Sequence, residues 1–343
     1  MGLHRENLSR RGFIKIIGVS GLAAGLGLAV GKQRLKALGL PRTVETWPLM
    51  GTYVQLVLYA EDQTVAHDVA VKALKRMQDL EALLSRHRSD SALSILNEHG
   101  SLDRPPVPLL ELLRLSHRVS VLTSGGFDLT IEPLARLIRQ AATAEFPPTP
   151  VRVSQAMRLV DYTAIEVTDA CVRFTRDAMA ITPDGIGKGF ILDQGMDALS
   201  RMGFSRVMID AGGDIAVSRG LDDPMWRIGI QDPRRPGGEL IARVPLSGGA
   251  IATSGDYLNA YSSDFTSNHI LDPRTGVSPE ALASVTVLAP TAALSDGLST
   301  GIMVLGPNRG LELVRSLPGV ECLLVTKDGR PLKSEGFPFE SAV

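Results

Sequence analysis

Ile209-Asp210-Ala211-Gly212-Gly213-Asp214-Ile215 joins two apolar runs, 205–209 and 214–218, through a Gly/Asp turn. Two short β-type runs so close together fit a hairpin, because glycine supplies the backbone angles that a tight reversal needs. The same texture continues in both directions. Runs at 164–168, 171–176, 226–231, 241–246, 284–289 and 321–327 read as strands, and 187–202, 293–305 and 308–316 read as helices. Nearer the N-terminus, 52–60 alternates Tyr53, Gln55, Val57, Tyr59 against Val54, Leu56, Leu58 and predicts a strand. Val65, Val69, Ala73, Met77, Leu80 and Leu84 recur at helical spacing and predict a helix over 63–84. A Leu-rich helix is expected over 109–123, stopped at Ser124-Gly125-Gly126, with another from Glu132-Pro133 and a proline loop at 146–150. Strands in runs with interspersed helices define an α+β class, with mixed, largely antiparallel sheets flanked by helices.

The chain has 343 residues, 44% hydrophobic and 21% charged, which suits a globular protein with a sizeable core. Lys plus Arg is 36 against 37 for Asp plus Glu, so the basic excess of a nucleic-acid binder is missing. Aromatic content of 5% also argues against a platform for stacking single strands. Ser9-Arg10-Arg11-Gly12-Phe13-Ile14-Lys15 has the form of a twin-arginine export signal, followed by an uncharged Gly/Ala/Leu-rich stretch at 16–30. That stretch is shorter than the ~20 apolar residues of a spanning helix. Residues 1–40 are therefore expected to be an export segment, leading to the periplasm or the periplasmic face of the inner membrane. Retention of the segment would leave an inner-membrane anchor. Cys171 and Cys322 both fall in expected strands; a disulfide is permitted in an oxidising compartment but not implied.

Two segments carry the chemistry. Asn268-His269-Ile270-Leu271-Asp272-Pro273-Arg274-Thr275-Gly276 sets an imidazole, a carboxylate and a guanidinium in one turn. His269 is the natural general base, since imidazole titrates near neutrality; a hydrogen-bonded turn histidine is the other reading. Arg274 serves a phosphate or pairs with Asp272. In the second segment, Asp296 and Thr300 are four residues apart, on one helical face with Ser299 adjacent. One carboxylate with hydroxyl oxygens suits Mg²⁺ completed by substrate phosphates, whereas the alternative makes Ser295 or Asp296 a helix cap. Asp184-Gly185-Ile186-Gly187-Lys188-Gly189 precedes a helix and is either an anion-binding turn or a plain helix-start loop; it completes neither the P-loop nor the dinucleotide fingerprint.

Taken in order, these segments resemble the ApbE family of FAD:protein FMN transferases. The matching motifs are Met50-Gly51-Thr52, Asp90-Ser91 through Asn97, Gly126-Phe127-Asp128, Gly187-Lys188-Gly189-Phe190 with Asp193, Asp210-Ala211-Gly212-Gly213-Asp214, Thr253-Ser254-Gly255-Asp256, His269 to Gly276, and Asp296 with Thr300. The resemblance implies one FAD-binding transferase domain over residues 45–335. It implies Mg²⁺ held by Asp296, Thr300 and the Gly185 carbonyl, with Ser299 beside them. Met50, Gly126, Phe127, Asp128, Lys188, Thr253, Ser254, Gly255, Ile270 and Arg274 are the expected nucleotide contacts, and His269 the group that deprotonates the acceptor. His87 and Thr182 stand where the family commonly has tyrosine and aspartate, and Ser299 where some members carry aspartate. The implied reaction moves FMN from FAD to a Ser or Thr hydroxyl of an exported or membrane-bound flavoprotein, releasing AMP. Hydrolysis of FAD to FMN and AMP, or FAD binding without catalysis, are the alternatives.

Overall fold

The computed structural model describes residues 39–144, 146, 148–220, 223–235 and 238–341. The expected export segment lies almost wholly outside them. Among the described residues no helix is long and apolar enough to cross a membrane.

The hairpin at 209–215 is real: β6 (Val207–Ala211) and β7 (Asp214–Ser218) pair antiparallel, with Ala211 opposite Asp214. They lie inside an eight-stranded sheet with β1 (Arg42–Leu49), β2 (Thr52–Tyr59), β10 (Gly249–Gly255), β11 (Leu282–Ala289), β12 (Glu321–Thr326) and β13 (Pro331–Lys333), in the order β1-β2-β6-β7-β10-β11-β12-β13. Every neighbouring pair is antiparallel. Smaller antiparallel sheets are formed by β8 (Trp226–Gln231), β9 (Leu240–Leu246) and β14 (Glu340–Ser341), and by β3 (Ser101–Asp103), β4 (Ile165–Val167) and β5 (Cys171–Phe174).

The period of two in each strand divides the interior into two cores. Val54, Leu56 and Leu58, with Val207 and Ile209, face the helices; Val57, Tyr59, Met208, Ile215 and Val217 face Trp226, Ile228 and Val244 of the small sheet. On the helical side lie α1 (Gln63–Leu84), α2 (Ala92–His99), α3 (Val107–Leu122), α6 (Gly187–Arg201) and α7 (Ala292–Leu305). α4 (Glu132–Ala144) and α5 (Pro150–Met157) share a satellite core through Leu134, Ala156 and Leu271. α8 (Pro307–Arg315) follows α7.

In α1 the buried stripe runs through Ala66, Val69, Ala70, Ala73, Leu74 and Met77, while Val65 is 48% exposed. Leu80 and Leu84 complete the stripe, so five of the six expected positions are buried and only Val65 turns outward. A Cβ on Gly195 of α6 would stand 2.7 Å from the Met77 sulfur. Cys171 and Cys322 lie in different sheets and are free thiols.

Antiparallel order brings four features to one end of the large sheet: the Met50-Gly51 turn, the Gly212-Gly213 turn, the end of β10 and the start of β11. Met50 and Gly51 both have positive φ (54° and 71°), as a two-residue hairpin turn of the primed type requires. A Cβ on Gly212 would lie 2.6 Å from Thr52 Oγ1, so the two turns abut.

Candidate active site

α7 runs back across the helix-side face of the sheet. Its N-terminus is capped by Thr291, whose hydroxyl accepts from Leu294 N, and by Asp193 of α6. Asp193 takes the backbone N–H groups of Ala292 (2.7 Å) and Ala293 (2.9 Å). The capping role is therefore filled elsewhere, and Asp296 sits a turn further in, 5% exposed. One of its carboxylate oxygens accepts from Gly189 N at 3.1 Å. This bond needs α6 and α7 in near-contact: a Cβ on Gly189 would fall 2.3 Å from the Ala292 carbonyl oxygen. The Gly189 amide, one of the groups expected to be open to a phosphate, is thus given to Asp296.

Beyond Asp296 the helix presents hydroxyls. Ser254 Oγ on β10 lies 2.8 Å from Ser299 Oγ and 3.2 Å from Thr300 Oγ1. Ser299 is fully buried and donates to the Asp296 carbonyl at 2.8 Å, so it braces the helix against Ser254. Thr300 Oγ1 faces the Gly185 turn: with φ +85°, Gly185 would place a Cβ 2.9 Å from that oxygen and 3.5 Å from the Phe127 ring. Gly185 therefore has two reasons to be glycine, the left-handed backbone and the close approach.

Lys188 projects from the first turn of α6 to Asp214, Nζ to carboxylate 2.5 Å; its side chain is 40% exposed and that of Asp214 4%. Burial opposes its charge, but Asp214, Asp296 and Asp210 prevail and raise the pKa, so the ammonium is held protonated. Burial, then the nearby Asp214, raises the Asp296 pKa, while Lys188 and the Gly189 amide pull it down. Asp210 is likewise raised by burial, against the N–H of Gly213 at 2.9 Å. Asp184 adds a fourth carboxylate and pairs with Arg86 at 3.2 Å.

His269 joins this cluster. The residue is exposed, and its backbone N–H is held by the Asn259 carbonyl at 3.1 Å. Lost hydration lowers its pKa; Asp184 opposes this and Lys188 adds to it. Asp184 and Lys188 are also the groups that act on Asp296, so imidazole and helical acid share one electrostatic neighbourhood.

The remaining expected positions divide. Ser254 and Gly255 lie at the site end of β10, but the Thr253 side chain is on the opposite face, bonded to Thr286 Oγ1 at 2.8 Å, and turns away from Asp296. Arg274 is committed to Asp272 through two bonds (2.8 and 2.7 Å) and reaches the Val304 carbonyl at 3.4 Å, which settles it as that carboxylate's partner. Asp128 spends its carboxylate on Thr130 N and Oγ1 and on Tyr162 N, so it shapes the loop that holds Phe127. Phe127 and Ile270 are 2% and 4% exposed and form apolar floor. Gly126 is wedged against the Gly301 carbonyl, where a Cβ would come within 3.0 Å. Met50 stays at its turn, its N–H on Glu81 at 2.7 Å. Thr182 is buried and accepts from Asp184 N at 3.2 Å, while His87 is exposed beside Arg86.

Sequence reading quotes Asp184 and Asp214 within motifs without giving either a role of its own, and does not pick out Arg86 or Tyr261. For Asp214 a signal existed: an acid opening the apolar strand Ile215-Ala216-Val217 must be buried at one end and needs a cation. Arg86 and Tyr261 are ordinary loop residues until the fold joins them.

Comparison with known proteins matches residues 50–324 to the model of the ApbE family. A Klebsiella pneumoniae protein named FAD:protein FMN transferase is 31% identical over 305 residues, covering 85% of this chain and 86% of its own. An Escherichia coli K12 protein of the same name is 30% identical over 304 residues, covering 85% and 86%. Among solved structures, the ApbE protein of Thermotoga maritima superposes with a TM-score of 0.78 at 26% identity, covering 88% of this chain and all (100%) of the other. The flavin transferase ApbE of Vibrio cholerae gives 0.71 at 26%, with the same coverage of 88% and 100%.

Proposed function

The chain belongs to the ApbE family, and from that premise we propose that it is an FAD:protein FMN transferase, with residues 45–335 as the catalytic unit. It moves FMN from FAD to a Ser or Thr hydroxyl of an exported flavoprotein and releases AMP. The observation that carries this reading is the packing of Asp296 and Thr300 of α7 against the Gly189 amide, Ser254 and the Gly185 turn, an acid-and-hydroxyl site whose neighbours Asp184 and Lys188 also act on His269.

The donor set fits a divalent cation. Asp184, Asp210, Asp214 and Asp296 gather around Lys188 and Arg86, four carboxylates against two fixed cations. Asp296, Thr300 Oγ1 and the Gly185 backbone supply hard oxygens in close array. Among the described residues no group of three or more His, Cys, Asp or Glu is placed to hold a metal ion, so a cation here would need phosphate oxygens and water to complete its shell. Asp296, Thr300 and the Gly185 carbonyl would hold Mg²⁺, which would supply neutralising charge for the diphosphate of FAD.

The protein groups then have separate tasks. His269, its pKa lowered and its ring neutral at pH 7, accepts the proton of the acceptor hydroxyl. The freed oxygen forms its bond to the FMN phosphorus as the bond from phosphorus to the bridging oxygen breaks, and AMP leaves with that oxygen. Lys188, held charged, donates to phosphate oxygen as negative charge shifts towards the leaving group. Ser254 and Ser299 keep Thr300 in position, and Phe127 and Ile270 form an apolar floor. The twin-arginine segment places the protein at the periplasmic side, where exported acceptors are found.

The test is a pair of variants. Asp296→Ala is expected to abolish Mg²⁺-dependent labelling of an apo-flavoprotein while its thermal unfolding still shows a folded protein. His269→Ala is expected to lose ~10²–10⁴-fold in rate while still binding FAD. Full labelling by the Asp296 variant would refute the metal assignment.

A further inference from the structure

An open cleft of about 420 Å³ lies between α4 and the loop that follows β10, lined by Arg139, Ala142, Thr143, Ala260 and Tyr261. It adjoins the base. Ala260 bridges to Asn268, Tyr261 N donates to the Ser267 carbonyl at 2.7 Å, and Asn259 holds the His269 backbone. One wall of the cleft is therefore the segment that positions His269. Asp184 provides a second link: its charge acts on Tyr261 as it does on His269 and Asp296.

Resting on the transferase reading above, we propose that this cleft receives the acceptor polypeptide as an extended segment and presents its hydroxyl to His269, with Tyr261 as a wall that contacts the acceptor. Charge favours this occupant over a nucleotide. Arg139 and Arg86 are the cations that act on Tyr261, and each is already paired with a carboxylate, Glu132 at 2.7 Å and Asp184 at 3.2 Å, so their charge is largely spent before a phosphate could use it. The remaining lining of Ala142, Thr143, Ala260 and the Tyr261 phenol suits a neutral backbone that is recognised by fit and hydrogen bonds. The flanks suit a protein as well. Phe146, three residues beyond Thr143, is 77% exposed, and Leu258, two before Ala260, is 52% exposed. Exposed large apolar side chains close in sequence to the lining residues are what a protein partner covers.

The test fills the cleft without disturbing the core. Ala142 and Ala260 are both exposed, so Ala142→Trp and Ala260→Trp add bulk from opposite walls. The probe is an apo-flavoprotein domain with a single flavinylatable threonine, and FAD binding is followed by flavin fluorescence. Each variant is expected to raise the acceptor KM about tenfold or more, with kcat at saturating acceptor and FAD affinity within about twofold of wild type. Tyr261→Phe is expected to give a smaller rise in the same constant. An unchanged acceptor KM in both tryptophan variants would overturn the proposal. So would a loss of FAD affinity with acceptor KM unchanged, since the cleft would then serve the nucleotide. If wild-type protein itself fails to label the domain, the transferase reading falls and this inference falls with it; labelling by the wild type with indifferent variants removes the cleft alone.

Discussion

Lys188 and Asp214 meet different surroundings: the ammonium stem reaches solvent, while the carboxylate is nearly sealed. Removing the cation strands a buried charge. Lys188→Met is expected to cost about 2 kcal/mol, below the about 3–5 kcal/mol of fully buried pairs because the ammonium is partly hydrated. Urea unfolding measures this, and an unchanged midpoint would show that Asp214 finds another partner. His269 makes a prediction in pH. Its folded pKa lies below 6.5, so the neutral, proton-accepting ring persists as pH falls through 6.5 and is lost only below it. At saturating Mg²⁺, the acid limb of kcat/KM is therefore expected below pH 6.5 and to vanish in His269→Ala. An inflection above pH 7 that survives the substitution would assign the base elsewhere.

The crossing of α6 and α7 fixes the spacing between Lys188 and Asp296, and glycine permits it. Gly189→Ala forces a methyl group to within 2.3 Å of a backbone carbonyl oxygen, which neither helix can yield cheaply. The expected loss is about 2–4 kcal/mol, read as a fall in Tm, together with weakened Mg²⁺ binding as Asp296 shifts. A fully stable, active variant would mean that the helices have room to part. Long periodic elements such as α1 and α6 are legible in the sequence, as is β8, because their burial follows period 3.6 or period 2, while β7 is legible as a short apolar run after a glycine turn. Short or lightly buried elements are not. α2 has eight residues and buries only Leu93 and Leu96, too few to show a period. α5 begins at Pro150 with Thr149 as its cap, and that helix start was taken as the end of a proline loop. β10 runs to Gly255, and only this strand reveals that Ser254 faces the site and Thr253 does not. Within the candidate site, the motifs mark the segments that carry Gly185, Lys188, Asp296 and Thr300, but not that Thr253 and Arg274 are bonded elsewhere. Pairing between distant segments, as in Lys188 with Asp214 or Arg86 with Asp184, depends on topology, and one-dimensional spacing does not contain it.

The candidate site lies at one end of an eight-stranded sheet, and Arg10-Arg11 precede the described residues in the sequence. If that pair routes the folded protein outward, replacing both arginines with lysine is expected to retain it in the cytoplasm, as cell fractionation would show. Unchanged periplasmic recovery would refute the export reading. The central claim, that one metal-dependent site transfers FMN to a protein hydroxyl, is tested most directly by mass spectrometry of an apo-flavoprotein incubated with the enzyme and FAD, in Mg²⁺ or in EDTA. The account predicts that in Mg²⁺ each acceptor gains one FMN group as one AMP appears, and that EDTA abolishes both. Conversion of FAD to FMN and AMP with acceptor mass unchanged, or labelling that persists in EDTA, would contradict it.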